Sequence, residues 1–248
     1  VMVVSFVNAG LISLVESIGV IMGANVGTTV TAWLISILGF KVSMAEISLP
    51  MIGLCLPLLF SNKRSRKNWG ELIIGFGLLF IGLEFLKNSM PNLDENPEMF
   101  TFLQEYADMG YASYILFMLI GTVLTILIQS SSATMALTLV MCANGWINFE
   151  IAASMVLGEN IGTTVTANLA AMVANSTAKR AAFAHFLFNV FGVIWVLSIF
   201  PLFLGWIEAL SVAMGIGNPE TSVEAVPMAL SLFHTAFNIS NVLILIWF

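Results

Sequence analysis

The chain has 248 residues, of which 59% are apolar and only 9% charged, and its mean hydropathy of +0.99 excludes a water-soluble globular domain. The net charge of −6 says little about partners because the acidic residues gather in a few loops, no nucleic-acid partner is expected, and the two cysteines, Cys55 and Cys142, have neither disulfide nor metal spacing. The apolar stretches have helical lengths and lack the short alternation of outer-membrane strands, so the expected fold class is an all-α integral membrane protein, a polytopic helical bundle.

In chain order, residues 1–40 form one apolar region interrupted at Asn8-Ala9-Gly10 and again from Gly23 to Thr29. The stretch from Leu14 to Phe40 is long enough to cross a bilayer, with a helix break expected at its Gly/Asn/Thr run. Residues 45–60 make a short crossing bent by Pro50 and Pro57, which remove backbone donors. The loop at 61–68 holds Lys63, Arg64, Arg66 and Lys67, half of all the basic residues, and the positive-inside rule makes it cytoplasmic. Trp69 to Asn88 is a span of ~30 Å if helical. The segment 89–111, with Asp94, Glu95, Glu98, Glu105 and Asp108 and no basic residue, suits the extracytoplasmic side.

From Ala112 the chain re-enters the membrane and reaches Gln129-Ser130-Ser131-Ser132-Ala133-Thr134, read as the tip of a re-entrant hairpin or broken helix. It returns by Asn144-Gly145. Residues 151–175 cross with a second break expected at Gly158 to Thr164, emerging at the basic pair Lys179-Arg180. Residues 181–200 cross outward, 202–213 lie in the interface, 214–227 form an outer loop, and Pro227 to Phe248 crosses back.

Gly158-Glu159-Asn160-Ile161-Gly162-Thr163-Thr164-Val165-Thr166 nearly repeats Gly23-Ala24-Asn25-Val26-Gly27-Thr28-Thr29-Val30-Thr31 at a constant shift of 135 positions. The same shift sets Gly10 on Gly145. The charge rule sends the first copy outward and the second inward, so two inverted repeats are expected, with broken helices meeting at a midplane site. Val1 falls on Ala136, so the partner of the Gln-Ser-Ser-Ser tip would precede the first residue, and the chain reads as a fragment of a longer protein. The expected organisation is an incomplete first repeat at 1–60, a connecting region at 61–111, a second repeat at 112–200, and an interfacial segment with a last helix at 201–248.

Polar side chains are costly in hydrocarbon unless something satisfies them. At an unwound tip, the hydroxyls of Ser130, Ser131, Ser132 and Thr134, the Gln129 amide and freed N–H groups can converge on an anion. The alternative is that the serines bond back to their helix or line a helix contact. At the two repeated runs, Asn25, Thr28, Thr29, Asn160, Thr163 and Thr164 offer hard oxygens to a cation. Glu159, whose counterpart is Ala24, either joins that set or caps a half-helix. His185 and His234, in a repeated His-x-x-Phe-Asn pattern, read as packed histidines bonded across helices rather than proton relays. All eight basic residues lie in loops or near membrane ends, so the countercharge for an anion must come from bound cations, dipoles and helix ends. No nucleophile–base pair or metal cluster appears, which argues against an enzyme.

These motifs, with the Trp69-Gly70-Glu71 span and the two His-x-x-Phe-Asn segments, resemble the type II sodium/phosphate cotransporters, closest to their bacterial branch, over nearly the whole chain. The resemblance implies sodium-coupled import of inorganic phosphate by alternating access, with phosphate at Gln129–Thr134 and sodium at the oxygens of the repeated runs. It implies no organic cofactor, sodium as coupling ion, a multi-pass location in the plasma or inner membrane, and the lipid bilayer as surroundings. Some relatives continue into a cytosolic regulatory domain, which here would lie outside the chain. Two alternatives stay open: another oxyanion such as sulfate or a dicarboxylate, or proton coupling; and a membrane subunit that binds phosphate without moving it.

Overall fold

A computed structural model describes residues 1–41, 44–89, 91 and 105–247, and every regular element among them is helical. Five stretches are long and apolar enough to cross a membrane: Leu14–Phe40, Arg64–Ser89, Tyr111–Ile128, Ser176–Ser198 and Val223–Leu245. The chain divides into two compact units, Val1–Trp33 with Glu98–Phe248, and Leu34–Pro97.

The larger unit contains α1 (Met2–Asn8), most of α2 (Leu14–Leu34), α5 (Tyr111–Ile128), α6 (Ser131–Ala143), α7 (Phe149–Ala171), α8 (Ser176–Ser198), α9 (Phe200–Ala213) and α10 (Val226–Leu245). Its centre is α7. Every residue from Ile151 to Asn160 is buried, so this half of the helix has no solvent-facing or lipid-facing side. That position explains why α7 carries polar residues on every side although it is long enough to span. Packing against α5 is close enough to exclude side chains: a Cβ on Gly158 would meet the Met118 carbonyl oxygen at 1.9 Å, and Thr122 donates across the seam to the Gly158 carbonyl at 3.0 Å. Phe200, Phe203 and Phe233 make edge-to-face contacts that tie α9 to α10, with Tyr114 of α5 against Phe200. Val4 and Val7 of α1 pack on Ala178, Ala181 and Ala182 of α8, and the Asn175 side chain and backbone both donate to Asn8.

The repeated sequence forms repeated local structure. Gly10 and Gly145 both take φ near +70°, where a Cβ is disfavoured, and each ends its helix with the same pair of bonds: Gly10 to Val7 and Leu11 to Phe6, Gly145 to Cys142 and Trp146 to Met141. Within α2 and α7, Asn25 donates to Ile21 and Asn160 to Val156, while Thr28 donates to Ala24 and Thr163 to Glu159.

Those same bonds correct one expectation. The breaks expected at Gly23–Thr29 and Gly158–Thr164 do not form, and α2 and α7 run through them. The Asn and Thr donors are satisfied by carbonyls one turn back on their own helix, and none of the glycines there has positive φ, so nothing forces the backbone to unwind. The break in the larger unit falls between α5 and α6, at Gln129-Ser130.

The smaller unit holds a π-helical segment Ile35–Lys41, α3 (Met44–Cys55) with Pro50 inside it, a 3-10 turn Leu56–Phe60, and α4 (Arg64–Ser89). Helix α4 starts within the basic cluster, so Arg64, Arg66 and Lys67 occupy its first turns rather than a loop; Lys179 and Arg180 likewise lie in the first turns of α8. At the other end of α4, Lys87 donates to the Gly39 carbonyl and sits 4.2 Å from the Phe40 ring centroid. Of the acidic segment expected at 89–111, Asp94, Glu95 and Glu98 lie outside the described residues.

Candidate functional site

The break between α5 and α6 is built residue by residue. Gln129 closes α5 in the left-handed region at φ 57°, its N–H bonded to the Thr125 carbonyl at 2.8 Å, a conformation that costs a non-glycine residue about 1 kcal/mol or more. Ser130 is extended and caps α6, its Oγ accepting from the Ala133 N–H at 3.2 Å. Because the cap reaches Ala133, the N–H groups of Ser131 and Ser132 have no intrahelical partner and carry the positive end of the α6 dipole.

This tip meets α2, α7 and α10 in one polar cleft. It is lined by Asn25, Thr28, Thr31 and Ala32 of α2, Ser131, Ser132 and Met135 of α6, Glu159, Asn160 and Thr163 of α7, and His234 of α10. The enclosed cavity is about 20 Å³, room for one water-sized sphere. Of the residues expected at an anion site, Ser131 and Ser132 line the cleft, Ser130 is the helix cap, and Gln129 is exposed. Thr134 is buried with its hydroxyl donating to the Ser130 carbonyl at 3.0 Å. Of those expected at a cation site, Asn25, Thr28, Glu159, Asn160 and Thr163 line the cleft. Thr29 and Thr164 are buried and donate to Val26 and Ile161.

The hydrogen bonds sort the lining by polarity. Asn25 and Asn160 each donate an amide N–H to their own helix, and no described residue donates to their side-chain carbonyls, which are available as acceptors. Thr28 and Thr163 likewise donate to their own helices and present oxygen lone pairs. Glu159, only 2% exposed, accepts from the Thr138 hydroxyl at 2.7 Å, and no Lys or Arg is among the described residues that line the cleft. These five residues make a hard-oxygen set of the kind that holds a small cation. Among the described residues the hydroxyls of Ser131, Ser132 and Thr31 donate to no hydrogen bond, and His234 brings a ring nitrogen, so the same lining also holds groups that can donate to an oxyanion.

Thr31 and His234 were not among the expected site residues. Thr31 belongs to the repeated run and shares a face with Asn25 and Thr28, a signal already in the spacing. The His234 Nδ1 has no hydrogen-bond partner among the described residues, contrary to the expectation of a bonded packing histidine. His185 lines an apolar groove with Ile18, Ile21 and Phe188 instead.

Comparison with known proteins adds an independent line. A family profile described as Na+/Pi-cotransporter matches residues 1–88 and 102–219. The chain is 35% identical over 214 residues to "Uncharacterized protein YqeW" of Bacillus subtilis (strain 168), covering 85% of this chain and 66% of that protein. It is 29% identical over 249 aligned positions to "Putative inorganic phosphate export protein YjbB" of Escherichia coli (strain K12), covering all of this chain and 42% of that protein. A shorter match, 42% over 93 residues, joins 36% of this chain to 16% of "Sodium-dependent phosphate transport protein 2C" of Rattus norvegicus. The chain thus spans between about two fifths and two thirds of the two bacterial relatives. No solved structure matches it.

Proposed function

The chain belongs to the Na+/Pi-cotransporter family, and from that premise we propose that it carries inorganic phosphate into the cell together with sodium, by alternating access. The observation that carries the proposal is the division of one cleft into donors and acceptors. The α6 N-terminus with Ser131 and Ser132 shares the cleft with a set of oxygens from Asn25, Thr28, Glu159, Asn160 and Thr163, with no basic side chain among the described lining residues. Phosphate brought against an ionised Glu159 without a cation would be repelled. Sodium on the oxygen set removes that repulsion, which is the physical basis for coupling. Each net charge moved is also worth ~2.3 kcal/mol per 100 mV, so co-transported sodium can drive accumulation.

A cavity of about 20 Å³ holds a bare cation or a water but not a tetrahedral oxyanion. Phosphate therefore loads only when the α6 tip moves away from α2 or α10, as a carrier that opens to one side at a time requires.

The test is radiolabelled phosphate uptake by the full-length protein in proteoliposomes, with sodium, potassium or proton gradients imposed in turn. Uptake that needs inward sodium and falls by about tenfold or more in Ser131→Ala supports the reading. Uptake that is indifferent to sodium, or that follows the proton gradient, overturns the coupling; uptake of sulfate in place of phosphate overturns the cargo. A second reading, outward movement, is favoured by the name of the E. coli relative. Phosphate release from loaded vesicles that outruns uptake under matched, reversed sodium gradients would select it.

A further inference from the structure

One polar group in the cleft has no place in the division of labour above. His234 is 5% exposed, its Nδ1 is enclosed without a hydrogen-bond partner, and none of the described residues bonds its Nε2. A buried imidazole ordinarily ties one nitrogen to a carbonyl or carboxylate, so an unpaired one asks for a missing partner. Glu159 lines the same cleft, yet its carboxylate is engaged by Thr138 and not by His234.

The helix around the ring is held while the ring is left free. Trp33 of α2 donates to the Thr235 hydroxyl at 2.9 Å, and Thr235 donates to the Ser231 carbonyl at 2.8 Å, which pins α10 to α2 beside the cleft. Asn238 donates back to the His234 carbonyl at 2.9 Å. The repeated pattern on α8 supplies a contrast. Asn189 makes the same backbone bond to His185 at 3.1 Å, but the His185 ring lies in the apolar groove, so the pattern itself does not demand a ring in a polar cleft.

We propose that His234 is a substrate-binding residue, whose ring N–H donates to an oxygen of the oxyanion held at Ser131 and Ser132. Among the described lining residues it is the one aromatic nitrogen, set among hydroxyls and carbonyls with no Lys or Arg. There it supplies a directed donor to an anion at no cost in fixed positive charge. The inference rests on the phosphate reading above and adds a residue of α10 to it.

The experiment measures sodium-dependent uptake of inorganic phosphate over a range of phosphate concentrations, with full-length protein in proteoliposomes. His234→Leu removes the donor and fills the volume; His234→Gln keeps an N–H donor; His234→Ala is a second deletion should the leucine variant not reconstitute. In the deletion variants KM for phosphate is expected to rise by about tenfold or more, while kcat and the sodium concentration for half-maximal uptake stay within about twofold. His234→Gln is expected to recover KM to within about threefold of wild type. Unchanged KM in the deletions overturns the proposal. So does equal damage in the leucine and glutamine variants, or a loss confined to kcat, since each marks a packing role. Wild-type protein that takes up no phosphate with sodium overturns the underlying reading, which is a different result from wild-type uptake with an unmoved KM in His234→Leu.

Discussion

At the scale of single residues, Glu159 decides what the cleft can hold. At 2% exposure, with one hydroxyl partner and no basic residue among the described lining, an ionised Glu159 carboxylate would cost several kcal/mol unless a cation shares the cavity. Glu159→Gln keeps the shape and a carbonyl for Thr138 and removes only the charge. The sodium concentration for half-maximal phosphate uptake is expected to rise by about tenfold or more, and thermal unfolding in detergent is expected to stay level or move upward, because a buried charge has been deleted. A sodium dependence that superimposes on wild type would show that Glu159 is a structural acceptor for Thr138 alone. The sequence located this residue, because a lone acidic departure from a repeated run is visible at its position. It did not separate Asn25 and Thr28, which line the cleft, from Thr29 and Thr164, which are buried outside its lining, because all four bond back to their own helices and only packing against the other helices decides which face meets the cleft. Nor did it find His234, since two copies of one pattern sent their rings to different environments.

At the scale of elements, the seam between α5 and α7 is the tightest constraint. A methyl group on Gly158 would stand 1.9 Å from the Met118 carbonyl oxygen, and one on Gly162 would stand 2.7 Å from that of Thr122, so the two helices touch backbone to backbone. Their counterparts in α2, Gly23 and Gly27, have nothing within 4 Å. Gly158→Ala must push α5 off α7 and is expected to destabilise the protein by about 2 kcal/mol or more. Gly23→Ala in this 248-residue chain is expected to lie within about 0.5 kcal/mol of neutral or to stabilise slightly through helix propensity. Thermal unfolding of the two variants in detergent compares them directly, and equal effects would contradict the asymmetry of the two seams. This asymmetry also explains why the run was misread from sequence. Gly, Asn and Thr in succession signal an unwound segment when the backbone must satisfy itself elsewhere. Here the glycines of α7 serve close approach and the polar side chains satisfy themselves within the helix. The break at Gln129-Ser130 was legible because a serine cap leaves its mark in sequence, just before an apolar helix.

At the scale of the whole molecule, the charge pattern predicts an orientation of the chain in a membrane. The first turns of α8 carry Lys179 and Arg180, no Asp, Glu, Lys or Arg follows them up to Ser198, and the whole helix of 23 residues is about 35 Å long, enough to cross the hydrocarbon core. Beyond α9, the segment around Glu220 and Glu224 is acidic and exposed. Positive ends stay inside, so Thr177, exposed in the first turn of α8, is expected on the cytoplasmic side and Glu220 on the outer side. The two native thiols would be removed first, Cys55 to Ser and the buried Cys142 to Ala. In that background, Glu220→Cys is expected to react with a membrane-impermeant maleimide in intact cells, and Thr177→Cys only after permeabilisation. Labelling of both from outside would remove the α8 crossing, and the reversed pattern would remove the cytoplasmic assignment of the basic ends. The expectation of inverted repeats depends on the same result. It needs α7, the second copy of the repeated run, to travel inward and end at Lys179-Arg180, while the first copy in α2 travels outward. If Thr177 proves to be outside, α7 no longer runs inward as that assignment requires, and the shared hydrogen-bond pattern of α2 and α7 remains a repeat whose sense has to be found another way.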